Sequence, residues 1–374
     1  MSQWVSKMAK YIWQGSKWPE FHWKSELLLR PLSMARKAQG RLLAMADFFK
    51  LELQADLLAE EAVNTAAIEG EKLEIDAVRS SVARRLGLSA AGLPREKKNI
   101  KGLVDMLVDA TSNYQTPLAA GRLTSWQAGL FPDGYSDKIV TGKWRVGPME
   151  VVSGPIGKRK VHYEGPPAEN VGPMMKAFLE WFRNPPVELD GFIRAAVSHF
   201  WLVTIHPFED GNGRIARAVT DMALAQDEKE TRRLYSMSAQ IESERLKYYD
   251  VLERAQRGNG EISDYLRWFL ECLRRAIERS EEEANKAVRR AQIWRDISHI
   301  ELNGRQRKVV DRLIESGPDG FEGGLSTRKY VGMTRTSTAT AKRDISYLVE
   351  QGVLVPDKAG GRSANYRLAV WEKH

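Results

Sequence analysis

Only one cysteine, Cys272, occurs in 374 residues. That excludes an internal disulfide framework and suits a reducing compartment. It lies in "YLRWFLECLRRAI", a stretch with helical apolar spacing, and reads as a core thiol. The chain also lacks any run of the roughly 20 apolar residues that a membrane-spanning helix needs. Its N-terminal "MSQWVSKMAKYIWQGSKWPEF" holds aromatics and lysines without a continuous apolar stretch, so neither a signal peptide nor a span is expected. Internal repeats and low-complexity tracts are absent as well. The expectation is a cytoplasmic protein with no membrane partner.

What is present is ordinary globular material. Hydrophobic residues make up 43% and charged residues 28%, enough for real cores, and the length fits two or three domains. The net charge of +8 permits contact with nucleic acid or an anionic ligand without demanding either.

Along the chain the texture is helical, interrupted twice. After the aromatic N-terminal segment, apolar residues recur at three- and four-residue steps over 48–70, ended by Gly70 as a C-cap. Further helices are expected from "EKLEIDAVRSSVARRLGL", over 95–115 and over 118–130. Residues 142–167 alternate around "SGPIGKR", a hairpin signal. Helices resume at 172–184, 190–205, 214–227, 242–257 and 261–279, and the charged stretch 279–297 reads as a helical linker. From about Leu302, three helices precede two strands around Gly360–Gly361, the order of a winged helix. The fold class read from this is mainly α. The domains expected are a helical one over 1–95, a core over 96–280 with its hairpin at 142–167, a linker over 281–300 and a winged helix over 301–374.

One connector carries more chemistry than a turn requires: "HPFEDGNGRIAR", His206 to Arg217. Gly211-Asn212-Gly213 precede a helix expected to begin near Arg214, so backbone N–H groups and the positive helix end can form an anion cradle. Arg214 and Arg217 stand three apart in the first turn and can reach one ligand. They oppose the helix dipole, which suits a polyphosphate better than a structural role. Asp210 beside such a cradle suggests a divalent cation shared with phosphates, Mg²⁺ by its ligand preferences. His206 is the loop's one group titrating near neutrality and can take a proton from an attacking hydroxyl. Phe208 is expected to anchor the loop to the core.

These residues resemble the signature of the Fic family, HxFx[DE]GNGRxxR, at every fixed position. The resemblance implies a helical Fic core with a β-hairpin flap, an N-terminal helical domain and a C-terminal winged helix. It also implies transfer of AMP from ATP to a Ser, Thr or Tyr hydroxyl of a protein, with release of pyrophosphate. His206 would then be the general base and Asp210 the Mg²⁺ ligand. Gly211, Asn212 and Gly213 would hold the phosphates, with Arg214 and Arg217 at their β and γ end. The hairpin around 149–164 is similar to the flap that aligns a target by strand addition. "KYYDVLERAQ" is similar to the nucleoside-pocket segment at Tyr248 and Tyr249, and Gln256 stands where some relatives have Asn.

"TAAIEG", Thr65 to Gly70, resembles the family's inhibitory motif [ST]xxxE[GN]. In that class the Glu pairs with the second motif arginine, here Glu69 with Arg217. The implied protein is an autoinhibited adenylyltransferase whose partners are ATP and an unidentified hydroxyl-bearing protein, with self-modification and a homodimer among the expectations. Removal of AMP at the same site is the enzymatic alternative. In the C-terminal domain, "TRTSTATAKRDISYLVEQG" reads as a recognition helix with Lys342 and Arg343, and "KAGGRSANY" as a wing with Arg362 at its tip. DNA binding and protein docking both stay open for it, as does a nucleotide-sensing DNA-binding regulator for the whole chain.

Overall fold

The computed structural model describes residues 10–48, 51–132, 139–153, 160–321, 323–356 and 365–372. They form a mainly α-helical protein with two small sheets, as expected from the helical texture. The chain divides into two compact units, residues 1–281 and 282–374.

In the first unit, α1 (Ser25–Leu43), α2 (Leu51–Ile68), α3 (Ile75–Arg85), α4 (Lys98–Ser112) and α5 (Ala120–Leu130) precede a hairpin of β1 (Glu150–Ser153) and β2 (Lys160–Glu164). Helices α6 (Ala168–Arg183), α7 (Gly191–Ile205), α8 (Asn212–Glu228), α9 (Met237–Ser243), α10 (Arg245–Gln256) and α11 (Ser263–Asp296) follow, the last belonging to this unit only as far as residue 281. Helix α7 is buried on every side, each residue from Ala195 to Ile205 included, and this marks it as the centre of the unit. Asp190 caps its start, its carboxylate accepting from the Phe192 N–H. Helix α8 packs along α7, and the loop between them carries the signature residues.

Helix α2 has an unusual buried face. Glu61 and Thr65 lie on it at a four-residue step with no exposed surface, and Glu69 continues the same stripe one turn on. Polar groups survive there because each is partnered. Glu61 accepts from the Ser236 hydroxyl at 2.8 Å and the Ser238 N–H at 3.1 Å, and lies 3.4 Å from Arg233. Arg233 in turn grips Asp221 of α8 at 2.7 Å. Burial raises the Asp221 carboxyl to about 6 despite that cation. The pairs fasten α2 to α8 and α9.

The hairpin is antiparallel, with Glu150 opposite Glu164 and Val151 opposite Tyr163, and its register slips between Val151 and Val152 as at a bulge. The "SGPIGKR" turn lies outside the described residues apart from its first serine, Ser153. Two elements differ from the sequence reading. Helix α9, over Met237–Ser243, was not expected; it is a short helix capped by Ser236. Helix α8 starts at Asn212 rather than near Arg214, so Gly213 belongs to its first turn.

In the second unit, α12 (Gly304–Gly320), α13 (Thr327–Thr334) and α14 (Thr338–Glu350) are followed by the antiparallel pair β3 (Leu354–Pro356) and β4 (Tyr366–Leu368). Val309, Leu313, Tyr330, Ile345, Leu348 and Leu368 form its apolar centre. Buried Asp344 accepts from the Tyr330 hydroxyl at 3.0 Å and from Arg305 Nε at 2.8 Å. Of the expected wing, residues 358–366, positions 358–364 with Arg362 lie outside the described residues, and Tyr366 opens β4.

Candidate active site

Helix α7 ends at Ile205, and His206 turns into the left-handed region at φ 52°, ψ 60°. Its N–H still donates to the Leu202 carbonyl, and its Nδ1 lies 3.1 Å from the Val203 carbonyl oxygen. A carbonyl only accepts, so Nδ1 carries the proton and Nε2 keeps its lone pair. Burial lowers the imidazole below its ordinary value; Glu69 and Asp210 oppose that shift and Arg145 adds to it. At neutral pH His206 is therefore uncharged and able to accept a proton.

The loop beyond it is closed by Asn212. Its side-chain oxygen accepts from the Phe208 N–H and its amide donates to the Phe208 carbonyl, both at 2.8 Å. Phe208 is fully buried, its ring 4.9 Å from that of Trp144. The Asn212 amide is thus committed to the loop, and what this residue offers an anion is its backbone N–H. Gly211 has φ 88°, and a Cβ on it would lie 3.0 Å from the Phe131 ring. The helical ladder begins with the Ile215 N–H donating to Gly211, which leaves the N–H groups of Asn212, Gly213 and Arg214 ahead of it at the positive end of α8.

Arg217 is buried to 2% exposure. Its Nε donates to the Thr65 hydroxyl at 2.6 Å, and its Nη2 donates to the Thr65 carbonyl and to Glu69 Oε1, each at 2.8 Å. Its Nη1 is buried without a partner. Burial would lower this guanidinium, but Glu69 together with Tyr248 and Tyr249 opposes it, and the net shift is upward. The same carboxylate also covers the cradle: a Cβ on Gly213 would lie 2.1 Å from Glu69 Oε1. Only a residue without a side chain leaves room for Glu69 against the first turn of α8.

Arg214 is held likewise. Its Nη1 donates to Glu71 Oε2 at 3.0 Å, its guanidinium lies 4.9 Å over the Phe131 ring, and its Nε is buried without a partner. Sequence reasoning missed Glu71. The only signal was a second acid two residues after Glu69, and nothing local said that it would meet Arg214. Asp210 is exposed; its Oδ1 accepts from the Gly211 N–H at 2.6 Å and lies 3.7 Å from Arg214 Nη2.

The aromatic pair on α10 splits. Tyr248 is buried, its hydroxyl 3.0 Å from His199 Nε2, and burial raises its pKa. The Tyr249 hydroxyl donates to the Ile68 carbonyl at 3.0 Å and so tethers the end of α2. Buried Gln256 reaches the Thr204 hydroxyl at 3.4 Å. His206, Asp210, Arg214, Arg217 and Glu69 gather at the start of α8. Tyr248 lies beneath Arg217, and Gln256 lies nearer the end of α7.

Among the described residues, no group of three or more His, Cys, Asp or Glu side chains could hold a metal unaided. A single exposed carboxylate next to an anion cradle suits a cation that brings phosphate ligands with it.

Residues 117–224 match the Fic/DOC family, and residues 11–88, which include Thr65–Glu71, match a domain of unknown function, DUF4172. The protein adenylyltransferase Fic of Nematostella vectensis is 35% identical over 115 residues, 30% of this chain and 25% of that protein. That of Aedes aegypti is 30% identical over 138 residues, 36% of this chain and 26% of that protein. The chain thus spans about a quarter of the length of the curated relatives it matches. Among solved structures, a Fic family protein from Desulfovibrio desulfuricans G20 aligns over 94% of this chain and 98% of its own, with a TM-score of 0.56 and 19% identity. Fic-1 from C. elegans aligns over 71% and 75%, with a TM-score of 0.51 and 18% identity. These last two likenesses are of fold alone. No helix among the described residues is long and apolar enough to cross a membrane.

Proposed function

We propose, from the premise that the chain carries a Fic-family domain at residues 117–224, that it transfers AMP from ATP to a protein hydroxyl and that residues 65–71 restrain the transfer. The backbone N–H groups of Asn212, Gly213 and Arg214 bind the phosphates at the positive end of α8, and Arg214 and Arg217 supply cations to the β and γ groups. Neutral His206 takes the proton of a Ser, Thr or Tyr hydroxyl at Nε2. The hydroxyl oxygen bonds to the α-phosphorus, the bond from that phosphorus to the bridging oxygen breaks, and pyrophosphate leaves with the electron pair. Asp210 would hold Mg²⁺ against the phosphates, which offsets their charge as the bond breaks.

The observation that carries this reading is the seat of Glu69. One carboxylate lies on Arg217 and over Gly213, where the phosphates would have to go. Bound nucleotide and seated Glu69 exclude each other. Glu61, anchored in the core, and Tyr249, holding Ile68, keep the end of α2 in place.

For the second unit we read the α13–α14 segment as a DNA-contacting face. Between Ser326 and Ser346, Arg335, Lys342 and Arg343 are exposed and the single acid, Asp344, is buried.

The test of the base is His206→Ala. Loss of a general base costs on the order of 10²–10⁴ in rate, so AMP incorporation should collapse while ATP affinity holds. Incorporation near the unsubstituted rate would remove His206 from this role.

A further inference from the structure

We infer that Arg145 is the positioning residue of the base: one guanidinium joins the His206 turn to both roots of the β1–β2 hairpin. The inference rests on the proposed AMP transfer for its kinetic consequence, but its geometry stands by itself.

Arg145 is 2% exposed. Its Nε donates to the His206 carbonyl at 2.7 Å. Its Nη2 donates to the Pro166 carbonyl at 2.5 Å and lies 3.4 Å from that of Ile205, and its Nη1 donates to the Gly147 carbonyl at 2.9 Å. Its backbone N–H completes the set on the Pro207 carbonyl at 2.8 Å. Gly147 precedes β1 and Pro166 follows β2, so the two ends of the hairpin and the residue proposed as base meet at one side chain. A Cβ on Gly165 would lie 3.1 Å from Arg145 Nη2, so glycine there leaves space for the fork.

Stability is a poor explanation for this residue. Burial lowers its pKa, and among the described residues no carboxylate lies within ion-pair distance of it. A buried cation without a counter-ion is costly. What offsets that cost is the end of α7, where the last carbonyls point their negative ends outward. Tyr163 of β2 takes the Thr204 carbonyl, and Arg145 takes those of Ile205 and His206. The hairpin thus caps the helix whose next residue is His206. That residue is a non-glycine in the left-handed region, a conformation that persists only when its surroundings impose it. Arg145 imposes it, and the same contact sets where a hydroxyl-bearing segment laid along the hairpin would stand relative to Nε2. Lysine cannot replace it, because one ammonium cannot span four carbonyls.

The charged groups that act on His206 are Glu69 from the end of α2, Asp210 of its own loop and Arg145 from the hairpin root. Removing Arg145 takes away the one cation among them, so the imidazole should protonate more readily.

The experiment uses the full chain with Glu69→Gly, to which Arg145→Lys or Arg145→Met is added. Initial rates of self-modification are measured against ATP concentration and pH, and the His206 ring signal is titrated by NMR after assignment with His206→Gln. A base displaced by about 1 Å costs on the order of 10²-fold. The expected result is a fall of that order in kcat for both variants with KM for ATP nearly unchanged. In Arg145→Met the acid limb and the ring titration should both move to higher pH. Full kcat in Arg145→Lys would overturn the inference, because charge alone would then suffice. An unmoved ring titration in folded Arg145→Met would overturn it too. If Arg145→Met does not fold, the kcat of Arg145→Lys decides. Should Glu69→Gly transfer no AMP at all, the proposed reaction fails, and the ring titration still tests Arg145.

Discussion

Glu69 and Glu71 hold different arginines, and replacing them singly and together should separate a main lock from a minor one. Arg217 is 3% and Glu69 32% exposed in the side chain, and their charge-assisted contact at 2.8 Å also lays the carboxylate over Gly213. Such a contact contributes about 1.5–3 kcal/mol, so Glu69→Gly should raise productive ATP binding by about one to two decades. The Arg214–Glu71 contact is a single bond at 3.0 Å to a carboxylate 27% exposed. Glu71→Gln keeps an oxygen that can still accept from Arg214 and removes only the charge assistance, about 0.5–1 kcal/mol, or about two- to five-fold. The effects should not be independent. While Glu69 covers Gly213 the cradle stays blocked, so Glu71→Gln alone should leave the rate nearly unchanged. Added to Glu69→Gly, it should give the further two- to five-fold. The assay is kcat/KM for ATP in self-modification for the four proteins of the cycle, at ATP well below KM. The reasoning is refuted if Glu71→Gln alone activates as strongly as Glu69→Gly, or if it does nothing in either background.

Asp210→Ala should shift the Mg²⁺ dependence of activity to higher concentration without lowering thermal stability, since the carboxylate is exposed and bonds only locally; an unchanged titration curve would place the metal elsewhere. DNA binding through the second unit should weaken steeply with salt, and Lys342→Ala and Arg343→Ala should each reduce the log–log slope by about one. Fluorescence anisotropy of the full chain on a duplex pool checks this, and an absence of binding at low salt would favour docking or dimerisation.

The helices and the signature loop were legible because their causes are local. Apolar spacing marks α7, and Gly211 marks the turn before α8. The pairing of Glu69 with Arg217 came from resemblance to a motif, since no periodicity links positions so far apart, and the structure places those two side chains together. Asn212 was read as a phosphate ligand, and its side chain turns out to close the loop on Phe208, a contact four residues back that asparagine makes with both ends of its amide. Tyr249 was read as part of a nucleoside pocket, and its hydroxyl holds Ile68 on α2. Glu71 offered only its place two residues after Glu69, and Arg145 offered nothing, because their partners, Arg214 and the end of α7, are chosen by packing between distant segments. Helix α9 escaped notice because it spans only seven residues.

The most direct measurement of the central claim compares two radiolabels of ATP on the Glu69→Gly protein with Mg²⁺. Transfer of AMP predicts that label at the α-phosphate stays on protein, that label at the γ-phosphate leaves as pyrophosphate, and that His206→Ala abolishes the first. Retention of the γ label would mean phosphoryl transfer, and retention of neither would mean that the site does not modify protein. Either result would contradict the account.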